Sequence, residues 1–481
     1  MNDEHDPIQQ RPIHVEDDKD AQPSTNDIHF VGRDTCGKCL RPLRFESMMT
    51  IPNIIFDSEN TLRIEQRVHR SDQQCGRQLH VFGRLDICSS GESSNRGRVE
   101  IKITSGDKKL TAATKIHFDD HFVDISTPFL ADWWDTNGPK PCVKLLITVY
   151  MPCDAQIDIL ELKVDSLDVS VMEGLKLKVA DKMSITTFSG SVRVPLLSRT
   201  GRTSDTRVES REMLVQTYSG AIEGGLSLHD LLKIKSGSGS VFIELGLVSA
   251  DPASATTAKL AVETDFGNIR ITTPFIFYYR QSKRGYKNKP PFRDYVVDLE
   301  TTSGKIEADV VVASRATIRS RAGDVLLRLV PVPFSARGNG KTTVVTDVDY
   351  GKTRIFLLES SHSGAPCADK ASSTMDLEAT NTSSNSGLAG LHSAHRSISG
   401  DIKVDVPDDW SGELITDTHT GDITAYGKHI TITRSSQGEP RMMEGLRGSR
   451  DSSVRMKSLW GSLELFVGQP QVLSREKTIR A

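Results

Sequence analysis

The densest run of reactive side chains lies at 274–294, PFIFYYRQSKRGYKNKPPFRD. It holds the cations Arg280, Lys283, Arg284, Lys287, Lys289 and Arg293, with Tyr278, Tyr279, Tyr286 and Phe292 between them. No acidic residue stands between Asp265 and Asp294. Clustered cations attract phosphate, sulfate or carboxylate groups, and aromatic faces stack on bases or sugars. The bland alternative is a solvated loop that keeps a sheet edge soluble. The segment is therefore an expected anionic-ligand loop, carried by Arg280, Lys283, Arg284, Tyr286, Lys287, Lys289 and Arg293.

Other chemically suggestive spacings fail on their context. ARGNGKTT at 336–343 resembles the end of a phosphate-binding loop, but Ser335 stands where the first glycine belongs. A helix must follow such a loop, and TTVVTDV is strand-forming. Cys36-Gly-Lys-Cys39 lacks a second pair at zinc spacing and a preceding strand of a redox unit. HFDDHFVD at 117–124 gathers His117, Asp119, Asp120, His121 and Asp124. Its surroundings read as strand, where residues four apart share a face but lie about 13 Å apart. No metal or cofactor is expected from these motifs. The acids Asp324, Asp401 and Asp422 directly follow turn glycines, which is ordinary turn chemistry. They recur too patchily for a catalytic ladder.

Those acids belong to the element that positions everything else. A glycine-centred phrase recurs ten times: FSGSVRV, YSGAIEG, GSGSVFI, DFGNIRI, TSGKIEA, RAGDVLL, DYGKTRI, ISGDIKV, HTGDITA and LWGSLEL. Its central residues are Gly190, Gly220, Gly239, Gly267, Gly304, Gly323, Gly351, Gly400, Gly421 and Gly461. Two places after the glycine nine copies carry Val, Ile or Leu, with Thr353 departing; three places before it nine carry Ser or Thr, with Val348 departing. Apolar residues alternate on both sides, the mark of strands with one buried face. Each unit thus reads as strand, corner, strand, with glycine supplying positive φ at the corner. The hydroxyl column reads as a ladder satisfying backbone groups at the turn, against the sharper alternative of an array matched to a repetitive ligand.

The shortest intervals, such as Gly220 to Gly239, are one β-solenoid coil long, and longer ones are a coil plus an insertion. The expected fold is all-β: a β-solenoid of about ten glycine-cornered coils at 157–468, with loop insertions at 198–211, 274–294, 360–396 and 434–453. A disordered acidic tail with one CxxC is expected at 1–49, a small β domain or solenoid cap at 50–156, and a polar tail at 469–481.

The 481 residues carry a net charge of −3, too little for a global field that recruits nucleic acid or anionic membrane. The N-terminus is acidic and polar, unlike a secretory leader, and no apolar run reaches membrane-span length. The seven cysteines, 36, 39, 75, 88, 142, 153 and 367, are scattered and odd in number. They do not form a disulfide framework, so a soluble, intracellular chain in a reducing compartment is expected, surface association remaining open.

The strand ending VYMP at 149–152, the alternating Leu162, Leu167, Leu175 and Val179, and the TFSGSV and TYSGAI repeats carry a resemblance. Over about 140–467 the chain resembles the putative-adhesin domains of bacterial and fungal proteins. The resemblance implies no catalytic residues. The expected function is a non-enzymatic, adhesin-like scaffold that binds a protein, a glycan surface or an anionic ligand. The alternative is a carbohydrate-active β-helix enzyme, which would gather three or more acids in one lateral groove.

Overall fold

The computed structural model describes residues 29–34, 43–69, 77–91, 94–119, 121–128, 130–131, 140–197, 206–250, 257–274, 290–332, 341–358, 388–436 and 438–468. They form two sixteen-stranded sheets, one two-stranded ribbon and one short helix, Lys108–Ala113.

From Ala155 to Tyr426 the chain alternates between the sheets. In the second sheet Lys176–Thr187, Arg207–Thr217, Leu231–Ser236, Ala258–Thr264 and Tyr295–Ser303 follow one another in parallel. In the first sheet Val192–Arg193, Ile222–Leu228, Val241–Leu247, Ile269–Thr272 and Ile306–Val312 do the same. Each glycine phrase is a passage from the second sheet to the first, so every phrase contributes one layer to both. The residues two places after the glycine, Val192 through Leu463, are buried except for the half-buried Ile423. Alternating side chains of the two sheets meet in a single apolar core.

The glycines stand in one column. A Cβ placed on Gly220 would lie closer than 3.0 Å to the carbonyl oxygen of Gly190, and the same relation links Gly239 to Gly220, Gly267 to Gly239, and Gly304 to Gly267. It continues through Gly323, Gly351, Gly400, Gly461 and Gly421, in that order. This changes the reason for the glycines. Only Gly304, Gly323, Gly351 and Gly400 have φ in the positive range, from +142° to +158°. What all ten share is backbone packed so closely on the next layer that no side chain fits.

The column also reveals a layer without a glycine. A Cβ on Gly190 would meet the carbonyl of Leu167, which sits between the strands Ala155–Val164 and Asp168–Val171 as each glycine sits between its own. Leu167 is fully buried.

The hydroxyls before the corners are buried, from Thr187 at 1% exposure to Thr418 at 0%, which rules out an array facing a ligand. Thr187, Thr217, Thr301, Thr418 and Ser458 donate to the carbonyl of the residue at the corner of the adjacent layer, at 3.0–3.3 Å. The hydroxyls of Thr187, Thr217, Ser236 and Thr418 accept the N–H of their own glycine at 2.9–3.2 Å. A second arrangement serves the middle of the stack. Gly304, Gly323 and Gly351 donate instead to Ala322, Tyr350 and Ser399 of the next layer, at 2.9–3.2 Å. No hydroxyl is needed there to receive the glycine N–H, and that is where Val348 replaces it.

The ends depart from simple order. The C-terminal pair Ser453–Ser458 and Leu463–Val467 lies between the layers of Gly400 and Gly421, parallel to the strands on both sides. The segment 434–453, expected as a loop, is largely a hairpin. Thr431–Ser436 pairs with Arg441–Arg447, which covers Gly412–Thr418 antiparallel. Strands likewise begin inside two other expected loops, at Arg207 and Leu391. At the other end Arg96–Ser105 and Leu43–Ile55 join the first sheet antiparallel, and Lys115–Asp119 closes the second.

Gly220→Ala is expected to lower the unfolding free energy by about 1–3 kcal/mol or more through overpacking against Gly190. Gly438→Ala, with only Ser436 Oγ 3.9 Å from the added carbon, is expected to stay within about 0.5 kcal/mol. Urea unfolding of the two variants checks this.

Candidate binding surfaces

The two edges of the stack differ. The glycine edge is short and locked in every layer. The opposite edge, where the chain returns from the first sheet to the second, takes the long connections: between Arg193 and Arg207, Leu247 and Ala258, Thr272 and Tyr295, Pro331 and Thr342, and Leu357 and Leu391. The strand ends that bound all five therefore lie along one edge.

Of the expected anionic-ligand loop, Arg280, Lys283, Arg284, Tyr286, Lys287 and Lys289 lie outside the described residues. Arg293 does not join them as a free cation. Its side chain is 1% exposed and its guanidinium bonds Asp230 at 2.9 Å and the Val248 carbonyl at 3.2 Å. Asp230 also faces His229 Nδ1 at 2.9 Å and Arg211 Nε at 3.7 Å. The phenol of Tyr295, its ionisation pushed up by burial, donates to the Pro291 carbonyl at 2.9 Å. Asp294 accepts from Thr257 at 2.9 Å. These contacts pin the described end of the connection, 290–294, to the stack, with Arg293 as part of that anchor.

Acids on the outer faces are matched by cations. Arg328 contacts Asp309 at 2.6 Å and Glu307 at 3.6 Å; Arg354 lies 3.6 Å from Asp405, and Lys403 lies 3.4 Å from Glu464. Burial raises the Asp405 carboxyl above its usual range, and Arg354 opposes that. The acids after the corner glycines are occupied too, Asp422 by Arg441 and the other two by backbone. Asp324 accepts the N–H of Lys352 at 2.9 Å and Asp401 that of Ser462 at 3.1 Å. His117 and Asp124 face each other across a hairpin, and Asp124 is bound by Arg67 at 2.7 Å. Among the described residues no group of three or more His, Cys, Asp or Glu side chains is placed to hold a metal ion.

Cys36, Cys39, Cys75 and Cys367 lie outside the described residues. Cys88 and Cys153 are free, whereas Cys142 is disulfide-bonded to a partner outside them. That bond removes the argument from scattered cysteines to a reducing compartment. No helix among the described residues is long and apolar enough to cross a membrane.

Two features were not singled out by motif. A depression of about 480 Å³ on the first sheet is lined by Val171, Met172, Val194, Pro195 and Phe242, with Arg193 and the two acids Glu173 and Glu223 also in its lining. Along the glycine edge Phe188, Tyr218, Phe266, Tyr350 and Trp460 are each more than half exposed. Their signal was present in the repeat: five of the ten phrases carry an aromatic one or two places before the glycine.

Inside the stack one titratable group stands apart. His395 is buried, with Nδ1 2.9 Å from Thr346 Oγ1 and Nε2 against Ser393 Oγ. Burial lowers its pKa from 6.5 to about 3.

No family model matches the chain, and none of the curated proteins matches it. Among solved structures it is similar to a putative cell adhesion protein from Clostridium sporogenes ATCC 15579, at 6% identity over 88% of this chain and 99% of that one, TM-score 0.14. It is similar to a putative adhesin from Parabacteroides distasonis ATCC 8503, at 10% identity over 87% and 96%, TM-score 0.26. A putative lipid binding protein from the same organism aligns at 9% identity over 88% and 96%, TM-score 0.26.

Two outcomes are expected. Asp230→Ala leaves the Arg293 charge buried with its carboxylate partner removed and lowers stability by about 3 kcal/mol, whereas Arg211→Ala, at 55% side-chain exposure, changes it by less than about 1 kcal/mol. For His395 the folded state resists a proton that the unfolded chain takes up near pH 6.5. Its contribution is complete above that pH and falls by about 1.4 kcal/mol per pH unit on acidification toward the folded pKa. Chemical denaturation between pH 6 and pH 4 should show that slope removed in His395→Gln.

Proposed function

We propose that the chain is a non-enzymatic, adhesin-like β-solenoid scaffold that binds a partner through its inserted loops. On this reading each strand–corner–strand unit at 157–468 is one coil, and the strands of 50–156 cap its N-terminal end. Capping suits the antiparallel strands there, since an end coil otherwise leaves unpaired edges.

One observation carries the reading: the strand ends that bound the long connections all lie along a single edge, opposite a glycine column that admits no side chain. A scaffold that locks one edge can vary the other without disturbing its hydrogen-bond ladders. Several outer-face acids support a non-catalytic reading: Asp309, Asp405 and Glu464 are engaged by cations and Asp324 and Asp401 by backbone.

Among the loops, 274–294 has the composition for an anionic partner, with Arg280, Lys283, Arg284, Lys287 and Lys289 as the binding cations and Tyr286 beside them. Arg293 forms part of its anchor.

Reversal of Arg280, Lys283, Arg284 and Lys287 to Glu is expected to abolish retention on heparin and on anionic liposomes. Circular dichroism and melting temperature should stay at the native values. Retention of the native protein should fall steeply with salt, since released counterions drive such binding. Native protein that flows through heparin at low salt would overturn the assignment of the loop.

A further inference from the structure

The glycine edge of the first layers forms a surface that the loops do not. Phe188 and Tyr218 occupy the same place in successive layers, two residues before Gly190 and Gly220. Their rings are stacked at 4.9 Å between centroids and lie within 1° of parallel. Both remain open to solvent, at 54% and 63% exposure. The next layer puts Gly237 in that place, whose backbone packs on the Tyr218 carbonyl. Glycine has no side chain to cover the far face of the Tyr218 ring. One layer further Asp265 takes that place, and Phe266, 67% exposed, stands next to it in the position of Ser238. The short ladder of rings thus stops at an open rung.

Serines are the polar residues nearest the rings, and the neighbouring cation Lys235 is paired with Glu263. The three corners read Phe-Ser-Gly-Ser, Tyr-Ser-Gly-Ala and Gly-Ser-Gly-Ser, without a cation or a carboxylate. Ser189 and Ser219 are tied by their hydroxyls to the carbonyls of Asp165 and Phe188 at 3.2 and 3.4 Å. The exposed Ser238 lies beside the open rung, and the next layer adds the exposed carboxylate of Asp265.

These observations select the occupant. Nucleic acid and anionic lipid need cations, which the three corners lack. A membrane or a second copy of the chain needs a large contiguous apolar patch, and here a pair of stacked rings is bordered by serines and a carboxylate. A pyranose ring offers a flat C–H face that stacks on an aromatic ring and a hydroxyl rim that pairs with serine and carboxylate. We propose that the edge formed by Phe188, Tyr218, Gly237, Ser238, Asp265 and Phe266 binds a neutral glycan chain, with one sugar seated on Tyr218 in the open rung. The proposal rests on the non-enzymatic binding reading but uses the edge opposite the loops.

Affinity electrophoresis of the full chain through native gels containing laminarin, mannan, hydroxyethylcellulose or glycol chitin tests it. At least one polymer should retard the protein, and high salt should leave the retardation intact. Tyr218→Ala and Phe266→Ala should each weaken it at least tenfold with unchanged melting temperature, while Phe118→Ala leaves it as it was. The loop-reversed protein should still be retarded, so a failed loop assignment and a failed glycan site give different results. The proposal is overturned if none of the four polymers retards the protein, if retardation survives both ring substitutions, or if salt removes it. Sedimentation that shows self-association lost in Tyr218→Ala, without glycan binding, would assign the edge to a second copy instead.

Discussion

The close approach of one corner to the next governs this molecule. Each corner glycine rests on the carbonyl of the layer beside it, nearer than any Cβ permits. That contact brings backbone polar groups into a buried column where water cannot serve them, and every such group then needs a partner. Many of the Ser and Thr hydroxyls three places earlier help supply it: Thr187, Thr217 and Thr418 donate across the layers and accept within them, while Ser236 and Ser320 donate to the carbonyl of their own glycine. Asp and Asn just after the glycine do the same on the outer side, as Asn268 does for the N–H of Lys305 at 2.8 Å. The composition of the repeat is thus the solution to one steric and one hydrogen-bonding requirement.

Two corner geometries meet that requirement in different ways, and the difference explains the exceptions. Where the glycine N–H turns inward, a hydroxyl must receive it. From Gly304 to Gly351 the strand continues to the residue before the glycine, and the N–H is received by the next layer's backbone. Val348 falls in that run. Its layer also carries the buried Thr353 where other layers carry an apolar residue.

The same constraint makes the two edges unequal. A corner that admits no side chain admits no insertion, so chain length varies only on the return edge. The ends need separate treatment, because a terminal layer has unpaired strands. Antiparallel strands border both sheets at the N-terminal end and the second sheet at the other, and the last layers are interleaved out of chain order. The Gly421 layer and its hairpin close the stack, while the C-terminal strands complete its interior.

Much of this was legible in single residues. The ten glycines, the inward residues after them and the alternation of the strands are local patterns, because period-two burial and corner chemistry are both written at fixed offsets. The layer of Leu167 was not legible, since it keeps the strands but lacks the glycine. Nor was the order of the Gly461 and Gly421 layers, because parallel strands of equal pattern pair equally well with either neighbour along the chain. Arg293 read as one cation among six until the fold set it against Asp230, 63 residues away. The rings of Phe188 and Tyr218 lie 30 residues apart in sequence and stack only because two corners coincide in space. The sequence alone therefore determined the unit and its repetition. The tertiary structure decided which units are neighbours, since that choice rests on contacts between residues far apart in the chain.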